Sequence, residues 1–161
     1  MDNRIIVIII SLFLCGCSAN PLGPVDEATC KPLETKPTDS LVIGTYTLDS
    51  FSVDFIKSFK TYPDEKSVLT ITSDKKLLLE NFPDSIYAMD NLIKRRLINT
   101  TGNWSINKNQ DKWCIDLRLD SIGTKGMSTS ADLYTIKDKL SIWLWIGDPD
   151  AGKRLLYVKQ K

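Results

Sequence analysis

From Leu41 to Val158 the apolar residues come in short runs that alternate with polar ones, at a period of two rather than 3.6. Successive side chains of a strand point to opposite faces, so this pattern commits the chain to half-buried strands. Lys112 to Leu119 shows it best. Trp113, Ile115, Leu117 and Leu119 share one face, and Cys114, Asp116 and Arg118 share the other. Leu41–Leu48, Val68–Thr72, Leu77–Leu79, Gly102–Ile106, Leu133–Ile136, Leu140–Ile146 and Leu155–Val158 read as further strands. Ser73-Asp74-Lys75-Lys76 and Lys137-Asp138-Lys139 are the turns of two hairpins. Phe51–Phe59 and Ser85–Ile98 have helical spacing instead; Ile86, Met89, Leu92 and Ile93 fall on one side of the second. The pattern predicts a mainly β fold, an antiparallel meander closing as a small barrel or sandwich, with one or two helical insertions.

The N-terminus has a different logic. Met1–Arg4 is short and polar, and Ile5–Leu14 is apolar except for Ser11. Ten residues at a rise of about 1.5 Å fall short of a hydrocarbon core of roughly 30 Å, so this is the anatomy of a secretory signal rather than a membrane span. Leu14-Cys15-Gly16-Cys17 resembles the lipobox of bacterial lipoproteins, with small Gly16 at −1 and Cys17 at +1. The resemblance implies removal of residues 1–16, a diacylglyceryl group on Cys17 and acylation (palmitate) of the new N-terminus. Several acyl chains together hold a protein on a membrane permanently. In that family an aspartate after the cysteine retains the protein at the inner membrane. Ser18 stands there instead, which points to the outer membrane of a Gram-negative cell, facing the periplasm.

Residues 17–40 carry four of the seven prolines and few large apolar side chains, the composition of an extended tether. Residues 41–161 remain as a single β-rich domain. Gly44-Thr45-Tyr46, Leu79-Glu80-Asn81-Phe82-Pro83, Gly102-Asn103-Trp104 and Gly147-Asp148-Pro149-Asp150 resemble small lipocalin-like bacterial lipoproteins. The motifs shared are strand openings and turns, so the resemblance speaks for the meander and says little about chemistry.

Composition narrows the chemistry. The chain has no histidine, which removes Ser-His-Asp and Cys-His nucleophiles, HExxH zinc sites and imidazole proton shuttles within one chain. A net charge of +1 gives no reason to expect nucleic acid. Gly147–Lys153 fits GxxxxGK, but Arg154 replaces the Ser/Thr and Leu155–Val158 reads as strand rather than helix, so the segment is a hairpin turn. Asp148 and Asp150 lack the ligand count of a calcium loop, and no metal or other cofactor is expected. Lys94-Arg95-Arg96 reads as a solvated helix face.

Once Cys17 is acylated, Cys30 and Cys114 are the thiols left, and in an oxidising compartment they are a candidate disulfide. Trp143 and Trp145 are the candidate binding residues, on one side of a strand whose other side carries Leu140, Ile142, Leu144 and Ile146. Three readings stay open: a strand covered on both faces, tryptophans lining a cavity for an apolar ligand, or a hot spot for a protein partner. The function expected is non-catalytic. A lipid-anchored envelope protein binds a protein partner, in an immunity or assembly role; the alternative is a lipocalin-like carrier with Trp143 and Trp145 around its ligand.

Overall fold

Nearly every alternating run becomes a strand, and the strands pair in sequence order until the last meets the first. The computed structural model describes residues 30–58, 66–84, 96–122, 125–146 and 154–161. Among these, in chain order, lie β1 (Cys30–Pro32), α1 (Asp39–Val42), β2 (Gly44–Leu48), α2 (Ser50–Ser58), β3 (Val68–Ile71), β4 (Lys76–Pro83), β5 (Leu97–Asn109), β6 (Lys112–Ile122), β7 (Lys125–Ile136), β8 (Lys139–Trp145) and β9 (Arg154–Lys159). From β2 to β9 each strand pairs antiparallel with its successor, and β9 returns to β2 with Tyr46 opposite Lys159. The eight strands form a closed antiparallel barrel, the lipocalin-like architecture expected, and closure removes the exposed sheet edge.

Eight strands enclose a space that side chains can just fill, or that can hold one small ligand. Here they fill it. Leu69, Leu79, Ile115, Leu117, Leu133, Ile142 and Leu144 are fully buried in one continuous cluster with Phe82 and Trp104. Two buried phenols of the core find partners. The Tyr46 hydroxyl donates to the Val42 carbonyl at 2.5 Å, and the Tyr157 and Ser67 hydroxyls share a hydrogen bond of 2.7 Å. At Gly102 a Cβ would stand 2.1 Å from the Arg118 carbonyl oxygen, so only glycine lets β5 and β6 approach this closely.

The two barrel ends differ. At one, Leu33 and Val42 pack onto the core and α1 closes the opening, capped by the Thr38 side chain on Leu41 N–H. The turns β3–β4, β5–β6 and β7–β8 are at this same end. At the other, α2 starts under an Asp49 cap, its carboxylate accepting from Ser52 N–H at 2.8 Å. Asp49 N–H also donates to Leu156 O, and Ser52 Oγ accepts from Leu156 N–H, which extends the β2–β9 ladder onto the helix.

Four expectations change. Leu41–Leu48 is not one strand, because Leu41 and Val42 belong to α1 and β2 starts at Gly44. The tether does not run to Ser40 as loose chain: β1 pairs with β7, Cys30 opposite Ile136, at the stretch of β7 beyond its ladder with β6. The helix expected over Ser85–Ile98 cannot reach its C-terminal end, since Leu97 and Ile98 open β5; residues 85–95, including Lys94 and Arg95, lie outside the described residues. β7 begins at Lys125, well before the Leu133 expected, because its first half carries small polar residues on the exposed wall.

Candidate functional site

β8 is apolar on both faces, and barrel closure decides which is inside. Leu140, Ile142, Leu144 and Ile146 join the core. Trp143 and Trp145 point outward, where Trp143, Cys30 and Leu156 form a second buried cluster flanked by Tyr134, Ile136, Trp145 and Val158. The expectation of tryptophans around an internal ligand is therefore corrected, since alternation on β8 cannot turn them inward while its other face fills the barrel.

Register assembles the outer cluster. Trp143 faces Asp132 across one ladder and Leu156 across the other, and Trp145 faces Arg154. The Tyr134 ring lies 4.4 Å from Trp143, and the Trp145 ring lies edge-on at 5.9 Å. The Arg154 guanidinium carbon sits 4.3 Å from the Trp143 ring centre and 6.0 Å from that of Trp145. Burial pulls the Arg154 pKa below its ordinary value, opposed by the nearby Asp49, Cys30 and Tyr134. Asp132 fixes the rim, accepting Trp145 Nε1–H on one oxygen at 3.0 Å and Cys114 Sγ–H on the other at 3.3 Å. The Trp143 indole N–H is buried and has no acceptor among the described residues.

Cys30 lies within this cluster and Cys114 at its rim, and the two thiols do not meet. Both are free and buried. Cys30 lies opposite Ile136 and Cys114 opposite Asp132, along the same side of β7. Four positions at about 3.4 Å each put them roughly 14 Å apart, beyond the ~7 Å reach of a disulfide. The expected bridge is corrected accordingly. Burial pushes both thiols up to about 11, so they stand protonated at neutral pH and are poor nucleophiles.

Cys17 lies outside the described residues, as does Gly147–Lys153. The flanks of that segment pair as a β8–β9 hairpin, and a strand follows it where a phosphate cradle would need a helix. Arg96 binds buried Asp84, its Nε 3.0 Å from the carboxylate. Among the described residues no group of three or more Cys, Asp or Glu is placed to hold a metal ion, and no helix is long and apolar enough to cross a membrane. Sequence reasoning missed Tyr134, Asp132 and Arg154. Tyr134 and Asp132 were legible as the non-core face of β7. Arg154 was not, since nothing in the sequence marks a lone arginine as an aromatic lid.

The class these observations define is a closed eight-stranded antiparallel β-barrel with a filled interior and an aromatic–arginine cluster on its outer wall. Compared with protein-family models, curated proteins and solved structures, the chain has no match in any of the three.

Proposed function

We propose that this chain is a non-catalytic, lipid-anchored protein of the cell envelope that binds a protein partner through the outer face of β7, β8 and β9. The observation that carries the reading is the division of apolar residues: the barrel interior is full, and the tryptophans lie outside. Side chains of the described residues packed across the barrel weigh against a carrier. An aromatic cluster with a desolvated arginine is the composition of interface hot spots, where Trp, Tyr and Arg dominate. Half-buried Tyr134 and Trp145 are the side chains a partner would reach first. The buried Trp143 N–H leaves a donor that a small shift would offer to a partner carbonyl. The anchor on Cys17, the outer membrane and the periplasmic face rest on the N-terminal sequence alone.

Site-specific crosslinking in the native host tests this. A photoreactive residue at Tyr134 or Trp145 is expected to give one discrete protein adduct that the same residue at exposed Arg118, on β6, does not give. Adducts of equal yield and pattern from all three positions count against the face. Cys17→Ser is expected to abolish acylation and release the protein from the membrane fraction. An unchanged mass at residue 17, or an unchanged distribution after a high-salt wash, removes the anchor.

A further inference from the structure

We propose that the barrel end closed by α1 is the membrane-facing end and lays its lysines on anionic phospholipid headgroups. A shallow cleft of about 360 Å³ opens there, between the β7–β8 turn, the last residues of β9 and Leu41. Lys137, Lys139, Lys159 and Lys161 line it, with Asp138 the one acidic side chain among the lining residues. The whole chain is close to neutral, at +1, so four lysines against one aspartate give this cleft a positive charge that the composition alone does not suggest. Leu41 is 44% exposed beside these lysines, and an apolar side chain among cations suits the headgroup boundary. The turn itself is unusual. Lys137 and Asp138 both have positive φ, 48° and 63°, where Asn-Gly would be the relaxed choice, so the chain spends two strained positions on charged residues.

A second, independent line gives the orientation, and it rests on the lipid anchor proposed above. β1 begins at Cys30, opposite Ile136, the residue before this same turn. Twelve residues, and so thirteen Cα–Cα steps, separate Cys30 from Cys17. At no more than about 3.6 Å each they reach roughly 45 Å. A chain anchored at Cys17 therefore enters the barrel at the end that carries the lysines, and this end can reach the surface without the chain having to pass along the barrel. Juxtamembrane lysines are drawn to anionic lipid within about a Debye length of the surface.

The test uses a chain of residues 18–161, which holds every described element and the whole closed core. It carries no acyl chain, so vesicle binding reads this surface separately from the anchor, whose own failure shows as no lipid mass on Cys17 in the full-length protein isolated from its host. Sedimentation with phosphatidylcholine vesicles containing about 30% phosphatidylglycerol is expected to show at least about tenfold tighter binding than pure phosphatidylcholine, lost at high salt. Lys137→Glu, Lys139→Glu and Lys161→Glu together are expected to abolish the preference. Lys66→Glu with Arg118→Glu, on exposed side chains away from this end, is expected to keep it. In the unaltered chain, anionic vesicles are expected to protect Lys137, Lys139 and Lys161 from acetylation more than Lys66. Equal binding to both vesicle types, an unchanged triple variant, or uniform acetylation overturns the proposal.

Discussion

The Arg154 guanidinium lies over the Trp143 ring on the outer wall of the barrel, 4.3 Å from its centre. Both residues are nearly inaccessible, 6% and 5% exposed, although they belong to the outside of a sheet. The arginine acts as a lid, since its planar group covers an aromatic face that would otherwise meet water. A desolvated cation–π contact of this kind is worth about 2 kcal/mol.

Arg154→Ala is therefore expected to lower stability by about 1–3 kcal/mol, through the lost contact and the exposed indole. A urea titration should show a lower midpoint with an unchanged slope. Arg154→Lys should restore only part, because an ammonium cannot stack flat on the ring. Full recovery by lysine would mean that charge alone matters here.

The Ser67–Tyr157 hydrogen bond predicts an asymmetry between its two members. Ser67 Oγ also donates to the Glu80 carbonyl, at 2.9 Å, and Tyr157 is fully buried. Tyr157→Phe leaves the serine a partner and should cost about 1 kcal/mol. Ser67→Ala strands a buried hydroxyl and a carbonyl, and should cost about 1–3 kcal/mol. Equal or reversed losses in denaturant titrations would contradict this account.

What the sequence discloses is periodicity, and periodicity carries most of this fold. Trp113, Ile115, Leu117 and Leu119 announce their strand because burial on one face leaves a mark at every second residue. The first half of β7 leaves none, since Ser128 and Ser130 are exposed and the residue between them on the inner face, half-buried Thr129, is polar rather than apolar. Periodicity also separates the faces of β8 without saying which is inside. That choice falls to closure of the whole barrel, a relation between β2 and β9 that no local window contains. The same holds for Cys30 and Cys114, whose separation depends on the register each strand finds along β7.

Free buried thiols give the chain a pH signature. In the folded protein Cys30 and Cys114 are raised from 9.0 to about 11 by burial, with Asp132 adding to the shift at Cys114. The folded chain therefore keeps protons that the unfolded chain sheds once the pH passes the ordinary thiol value. Stability should be unaffected by these thiols below about pH 8 and fall between roughly pH 9 and 11, by at most about 1.4 kcal/mol per pH unit for each. Urea midpoints measured from pH 7 to 10 should bend downward near pH 9, and the bend should weaken in Cys30→Ala with Cys114→Ala. The buried Tyr46 and Tyr157, also held protonated by burial, leave a residual fall above about pH 10. A thiol reagent at pH 8 should react slowly with the native residue 18–161 chain and titrate two groups in urea. Finding none in unfolded, unreduced protein would restore the disulfide.

The filled interior makes the most direct prediction. Leu117 is fully buried at the centre of β6, facing its core neighbours across the barrel. Removing its isobutyl group leaves a hole that a closed sheet can relax into only partly. Leu117→Ala is expected to cost about 2–5 kcal/mol, with the larger figure if the barrel cannot contract. The same hole should be dry and apolar, and so receptive to a small hydrocarbon. The unaltered protein is expected to bind no benzene-sized probe in its interior, whereas Leu117→Ala, if it remains folded, should be stabilised by one. The smaller truncation Ile142→Val, expected to cost about 0.5–1.5 kcal/mol, keeps the packing claim measurable if the leucine variant unfolds. Stoichiometric binding of an apolar probe by the unaltered barrel would instead establish a cavity and return the carrier reading to first place.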